Sequence, residues 1–263
     1  MATVTNDIPP TIDRFDALFD CFVINLKRQP ERLHTFRQRN NSLGINIHHF
    51  EAVDGAQSAA VDVLDRIVAR GAVNYGKGPI GCAMSHLALW RLCVERNKPL
   101  VVFEDDSIIR HDLKAQLIAL TERVVDWDFI LLGYNTDCPL DASIAPGLDF
   151  YGMFPVRYPT AEQLAGFAQS SYPVGLAQLN LALGTCGYAV APTGAEQLIR
   201  HCFPMDNRPV HSRAAGQAFW AYGIDCMMAT VYKTIRAFIC VPPLVMTPNE
   251  QKTSTTKGYS TQA

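Results

Sequence analysis

Paired cysteine motifs are missing from this chain. Eight cysteines stand at positions 21, 82, 93, 138, 186, 202, 226 and 240, and no two are spaced as CxxC. That spacing argues against a zinc knuckle or a thioredoxin-type dithiol. Most sit among apolar neighbours, as in Phe238-Ile239-Cys240-Val241, and read as free thiols of a reducing compartment. Long apolar runs are also missing. None approaches the ~18 residues that a membrane-spanning helix requires. The densest stretches are 181–191 and 238–246, and Pro242 and Pro243 break the second. The first ten residues lack the charged start and apolar stretch of a signal peptide. Strongly basic runs are absent and the formal net charge is −2, so no long-range field draws the chain to nucleic acid. A cytoplasmic protein is expected, with no nucleic-acid partner and no transmembrane segment; peripheral membrane contact stays open.

What is present suits a folded domain. Of the 263 residues, 48% are hydrophobic and 18% charged, enough to build a core. Apolar runs at 21–26, 99–103, 127–133, 185–191 and 235–241 read as strands. Helical spacing follows Pro30 (Leu33, Phe36, Asn40, Leu43) and fills 79–96 and 113–125. Val61, Leu64, Ile67 and Val68 mark a further helix stopped by Gly71. Thr193 with Glu196 reads as a helix start, and a helix is expected over much of 213–232. Residues 1–17 read as a flexible leader, 18–246 as one domain and 247–263 as a polar tail. The stretch 134–180 carries five prolines and reads as an irregular insertion or lid on the acceptor side. Strands alternating with helices predict an α/β fold whose mainly parallel, mixed sheet is covered on both faces. Ligands of such sheets bind beyond the carboxyl ends of the strands.

The sharpest feature stands at one such end: Val101-Val102-Phe103 followed by Glu104-Asp105-Asp106. Three carboxylates beside a buried strand are costly unless something neutralises them. Hard oxygen ligands suit Mg2+ or Mn2+, which can bridge diphosphate oxygens. The alternative is a solvated loop that caps the next helix. In an extended chain Glu104 and Asp106 would share a side. After a sharp turn Asp105 and Asp106 would part company.

Three ordered blocks accompany the triplet and make four with it: Val23-Ile24-Asn25-Leu26-Lys27-Arg28 with Pro30-Glu31-Arg32; Phe50-Glu51-Ala52-Val53-Asp54-Gly55; and Gly78 to His86 with Trp90. Weaker echoes lie at 127–133 and 184–190. Together they resemble glycosyltransferase family 25, which includes lipooligosaccharide and procollagen galactosyltransferases. The resemblance covers residues 20–245. It implies a GT-A-like fold, an inverting transfer of a hexose from a UDP-sugar such as UDP-galactose, and Mn2+ (or Mg2+) at Glu104 and Asp106. The acceptor would be a glycan, a lipooligosaccharide or a glycoprotein.

The resemblance also implies donor contacts. Asn25, Leu26, Arg28, Arg32, Asp54, Gly55, Ser85, His86 and Asp105 are the residues it points to. Arg28 and Arg32 would face the diphosphate. Bland readings stand beside these: a surface arginine for Arg32, turn chemistry for Asp54, a core histidine packed on Trp90 for His86. An inverting transfer needs a general base. Asp225 is the candidate, with a helix N-cap as its structural alternative and Asp137 as an outside choice. The tail departs from the family, because Thr253-Ser254-Thr255-Thr256 stands where an acid is usual. Two rivals remain: a degenerate protein that binds a nucleotide sugar or glycan without turnover, and a metal-dependent phosphohydrolase, for which His111 is thin support.

Overall fold

The structure, a computed structural model, describes residues 13–56, 66–72, 75–155 and 158–248. It opens on a short helix, α1 (Arg14–Leu18), which Asp13 caps by accepting from the Phe15 amide at 2.9 Å. Phe15 is fully buried. Residues 14–17, within the stretch expected as a leader, lie in this helix.

Strand β1 (Asp20–Asn25) leads to α2 (Pro30–Asn40), with Pro30 in the first turn as the sequence suggested. Then come β2 (Ile47–Glu51), α3 (Lys77–Arg96), β3 (Leu100–Glu104) and the two-residue β4 (Ile108–Ile109). Helix α4 (Leu113–Arg123) and β5 (Phe129–Gly133) close this half. The helix expected from Val61 to Val68 lies mostly outside the described residues.

The stretch 134–180 is more ordered than expected. It holds β6 (Leu140–Ala145), β7 (Leu148–Gly152), α5 (Ala161–Ala168) and β8 (Gly175–Leu181). Its strands extend the sheet to its far edge. Next are β9 (Gly187–Val190) and α6 (Pro192–Cys202). Where a helix was expected over much of 213–232, the chain first completes a hairpin, β10 (Pro209–Ser212) and β11 (Gln217–Trp220), turned by Gly216 at φ +67°. Only α7 (Ile224–Ala229) is helical there, followed by one 3₁₀ turn. Strands β12 (Ala237–Val241) and β13 (Val245–Met246) finish the fold.

The nine-stranded sheet runs β2-β1-β3-β9-β5-β12-β8-β6-β7. β1 is parallel to β2 and β3, and β5 to β12; the other five pairings are antiparallel. The fold is α/β and GT-A-like with a mixed sheet, and the expected parallel majority is not there. Continuous apolar runs report burial on both faces, not strand direction. β9 shows this: it is buried throughout, yet runs against both neighbours.

Alternation along the strands divides the core in two. Phe22, Val102, Phe129, Leu131 and Tyr188 face α3, α6 and α7. Val23, Val101, Phe103, Ile130 and Leu132 face α1, α2 and α4. All eight cysteines are free thiols. Among the described residues no helix is long and apolar enough to cross a membrane.

Candidate active site

The carboxyl ends of β1 and β3 lie side by side, with Ile24 opposite Glu104 in register. The chain turns sharply after Glu104, and the Ser107 amide donates back to the Glu104 carbonyl (3.1 Å). That turn separates the three acids. Asp105 folds back under β1, where it accepts from Asn25 Nδ2 (2.7 Å) and Arg32 Nε (2.8 Å). Asn25 and Asp105 are both buried. Arg32 also reaches Asp106 Oδ2 at 3.6 Å.

Glu104 and Asp106 meet different environments. Glu104 accepts from the Thr185 hydroxyl and keeps 32% of its side chain exposed. Burial works to raise its carboxyl, but His86, Thr185 and Arg32 outweigh it and hold it below the usual range. Asp106 goes the other way. Burial first, then the Glu104 charge, push it up to about 7 against the pull of Arg32. Its buried Oδ1 has no hydrogen-bond partner. Such an atom beside a second carboxylate is costly unless a cation or a proton supplies the missing charge.

The other blocks lie beside this turn. Arg28 Nε donates to Asp54 Oδ2 at 2.6 Å, and Asp54 Oδ1 accepts from the Ala56 amide at 3.0 Å. The Arg28 contact leads in holding the Asp54 carboxyl below its ordinary value. Leu26 starts the turn that follows β1, its carbonyl accepting from Gln29. Gly55 and Gly81 are pressed together. A Cβ on Gly55 would overlap the Lys77 carbonyl, and one on Gly81 would overlap the Val53 carbonyl and Gly55 amide. Ser85 pins the same contact: its Oγ accepts from the Val53 amide (2.9 Å) and donates to the Gly81 carbonyl (2.8 Å).

His86 is fully buried. Its Nδ1 lies 2.8 Å from the Tyr188 hydroxyl, which also accepts from Trp90 Nε1 at 3.0 Å. Its Nε2 has no hydrogen-bond partner and faces Glu104 Oε1 at 3.9 Å. Sequence reasoning weighed a core histidine against a site residue, and the ring has both settings at once.

Asp225 sits in the first turn of α7, but Gly223, not Asp225, is the N-cap. Its carboxylate accepts from the Gly184 amide (3.1 Å) and the Cys226 amide (2.8 Å). Burial raises its pKa, with the Glu104 charge adding to the rise and the two amides opposing it. Gly184 adopts φ +97°, and a Cβ there would strike the Asn135 side chain. Tyr222, 43% exposed, stands nearby and is raised by burial and by the Asp225 charge.

The structure thus gathers Asn25, Arg32, Glu104, Asp105, Asp106 and His86 at one strand edge. Arg28, Asp54, Gly55 and Ser85 line the adjoining wall, and Asp225 approaches from α7. Sequence reasoning missed Thr185, Tyr188 and Thr247. Thr185 and Tyr188 fall within the echo at 184–190, which was a usable signal. Thr247, which opposes the rise of the Asp106 carboxyl, comes close only through the fold.

The sequence model of a family described as "Glycosyltransferase family 25 (LPS biosynthesis protein)" matches residues 19–210. An Aedes aegypti protein named "Glycosyltransferase 25 family member" is 32% identical over 124 residues, covering 43% of this chain and 20% of the relative. A Bos taurus protein named "Probable inactive glycosyltransferase 25 family member 3" is 31% identical over 145 residues, 49% of this chain and 24% of its own. Mus musculus "Procollagen galactosyltransferase 2" is 26% identical over 198 residues, 68% of this chain and 27% of its own. The matched stretch thus spans about a quarter or less of these relatives' lengths. The family match takes in every block built around the acidic turn, and this chain belongs to glycosyltransferase family 25.

Proposed function

We propose that the chain is an inverting hexosyltransferase that moves galactose from UDP-galactose to a hydroxyl of a glycan, lipooligosaccharide or protein acceptor. The observation that carries this is the unpartnered Asp106 Oδ1 beside the half-open Glu104, at the carboxyl ends of the strands. Two carboxylates suit a hard cation whose remaining ligands are diphosphate oxygens and water. Glu104 and Asp106 would hold Mn2+ or Mg2+, which when bound stabilises negative charge on the departing nucleotide.

The chain's own residues do the rest. Asp105 holds Arg32 close to the diphosphate side, while Arg28 and Asp54 flank the nucleotide. Asp225 accepts the acceptor's hydroxyl proton, helped by a carboxyl raised toward the working pH. The acceptor oxygen then bonds to the anomeric carbon as the bond to the β-phosphate oxygen breaks, and UDP leaves. Tyr222 gives the acceptor sugar an exposed ring to stack on. A binding-only protein is the second reading, because the Bos taurus relative is named probable inactive.

A thermal-shift panel tests the proposal, using UDP-galactose, UDP-glucose, UDP-N-acetylglucosamine and GDP-mannose, each with and without Mn2+. Ligands that bind only the native state raise its melting temperature. A rise for UDP-galactose that needs Mn2+, together with UDP release when acceptor is added, is the expected result. A rise without turnover on any acceptor favours the binding-only reading, and no rise with any donor rejects both.

A further inference from the structure

Cys82 and His86 lie one helical turn apart on α3 and present their side chains on one face. Glu104, at the end of β3, meets that face. The three ligating atoms, one from each residue, all lie within 4.8 Å of one another. Among the described residues no other group of three His, Cys, Asp or Glu side chains comes this close. His86 Nε2 is aimed into the group, fully buried and without a hydrogen-bond partner.

We propose that Cys82, His86 and Glu104 form a binding site for a soft divalent cation of the zinc class. Sulfur, imidazole nitrogen and one carboxylate oxygen are a zinc ligand set, whereas the sulfur-free pair Glu104 and Asp106 suits Mn2+ or Mg2+. Tetrahedral zinc sets its ligand atoms about 3.3–3.6 Å apart. The 3.9 Å from His86 Nε2 to Glu104 Oε1 is already close to that, and the two separations from Cys82 Sγ are at most 4.8 Å. Glu104 is about a third exposed, so the ion enters from the cleft. Three protein ligands leave the fourth position open to it.

The surroundings suit the role. Tyr188 holds the other imidazole nitrogen at 2.8 Å, the kind of outer contact that fixes the ring of a metal-binding histidine. With the cation on Nε2, Nδ1 keeps the proton and donates it to the Tyr188 oxygen. Cys82 binds as thiolate, and its proton passes to solvent.

One carboxylate would then be claimed by two sites. Zinc on Cys82 and His86 draws Glu104 away from Asp106, so zinc antagonises the Mn2+-dependent transfer. This competition rests on the function proposed above, but the site itself does not.

Cobalt, a spectroscopic stand-in for zinc, tests the site on the metal-stripped full chain. One equivalent should bind and give a thiolate-to-cobalt charge-transfer band, and zinc should erase it. Cys82→Ser should lose the band. His86→Gln should weaken cobalt binding at least ~10-fold. Because His86 is a core residue, Glu104→Gln repeats the test from the exposed ligand and should weaken binding as well. Asp106→Asn should leave the band in place. No cobalt binding by the parent chain, or a band that survives Cys82→Ser, overturns the site. None of these readouts requires transfer activity, so failure of the transferase reading would leave them intact. Where Mn2+-dependent turnover is measurable, one equivalent of zinc should lower it at least ~10-fold in the parent and not in Cys82→Ser. Equal inhibition of both overturns the competition.

Discussion

Two aspartates, Asp128 buried and Asp106 a quarter exposed, stand at opposite ends of the central strands and are treated in opposite ways. Asp128 precedes β5, at the amino end of that strand. Its oxygens accept from Thr193 Oγ1 (2.7 Å), the Arg236 amide (2.9 Å) and the Arg236 guanidinium (2.8 and 3.0 Å). Burial works to raise it, yet these partners hold it at about 2. Asp106 follows β3, at the carboxyl end. It is pushed up to about 7, with one oxygen unpartnered. One acid has its partners within the protein; the other keeps an oxygen without one. Buried acid alone does not mark chemistry. The count of partners does.

Substitutions can break that contrast. The largest effect belongs to the cleft: Asp225→Asn should lower acceptor turnover by ~10²–10⁴-fold while UDP-galactose still raises the melting temperature. Loss of donor binding as well would deny Asp225 the role of base. Asp106→Asn should lower metal-dependent turnover by ~100-fold or more, the scale of lost charge stabilisation, with no loss of thermal stability. A melting temperature that falls would make Asp106 a structural acid like Asp128.

At the other end the readout is stability. Asp128→Asn should cost ~1–3 kcal/mol in urea unfolding at pH 6, because buried donors lose an ionised acceptor. The sign with pH follows from a depressed carboxyl. Its contribution is complete above the unfolded value of ~3.9 and is lost as pH falls through about 2. Parent and variant curves should therefore converge in acid, and a gap unchanged down to pH 2 would contradict the assignment. Thr193→Val, which removes one donor, should cost only ~0.5–1.5 kcal/mol and leave turnover unchanged.

That Thr193 hydroxyl also shows where the sequence misled. Thr193 with Glu196 resembles a capping box, but Ala191 is the N-cap of α6 and Pro192 opens its first turn. The hydroxyl instead serves Asp128, a partner 65 residues away that no local pattern reveals. The segment 213–232 misled for a related reason. Ala214 and Ala215 favour a helix in isolation, but the β10–β11 ladder overrides that preference. Strands β1, β3 and β5 were legible because burial on both faces writes an apolar run into the chain. The blocks that hold Gly55 and Gly81 were legible for a physical reason too: the two glycines are in backbone contact, which leaves no room for a side chain at either. The links across the cleft were not legible, since Thr185 to Glu104 and Gly184 to Asp225 join residues brought together only by sheet order.

The position of β9 between β3 and β5 also sets a timetable. The ribosome delivers Glu104, Asp105 and Asp106 long before Thr185, Asp225 and Thr247. Asn25, Arg32 and His86 are already present, but Thr185 comes more than eighty residues after Glu104, and Thr247 comes later still. Pairings across such gaps are slow to close. A chain released early would carry these acids without Thr185, Asp225 and Thr247 beside them.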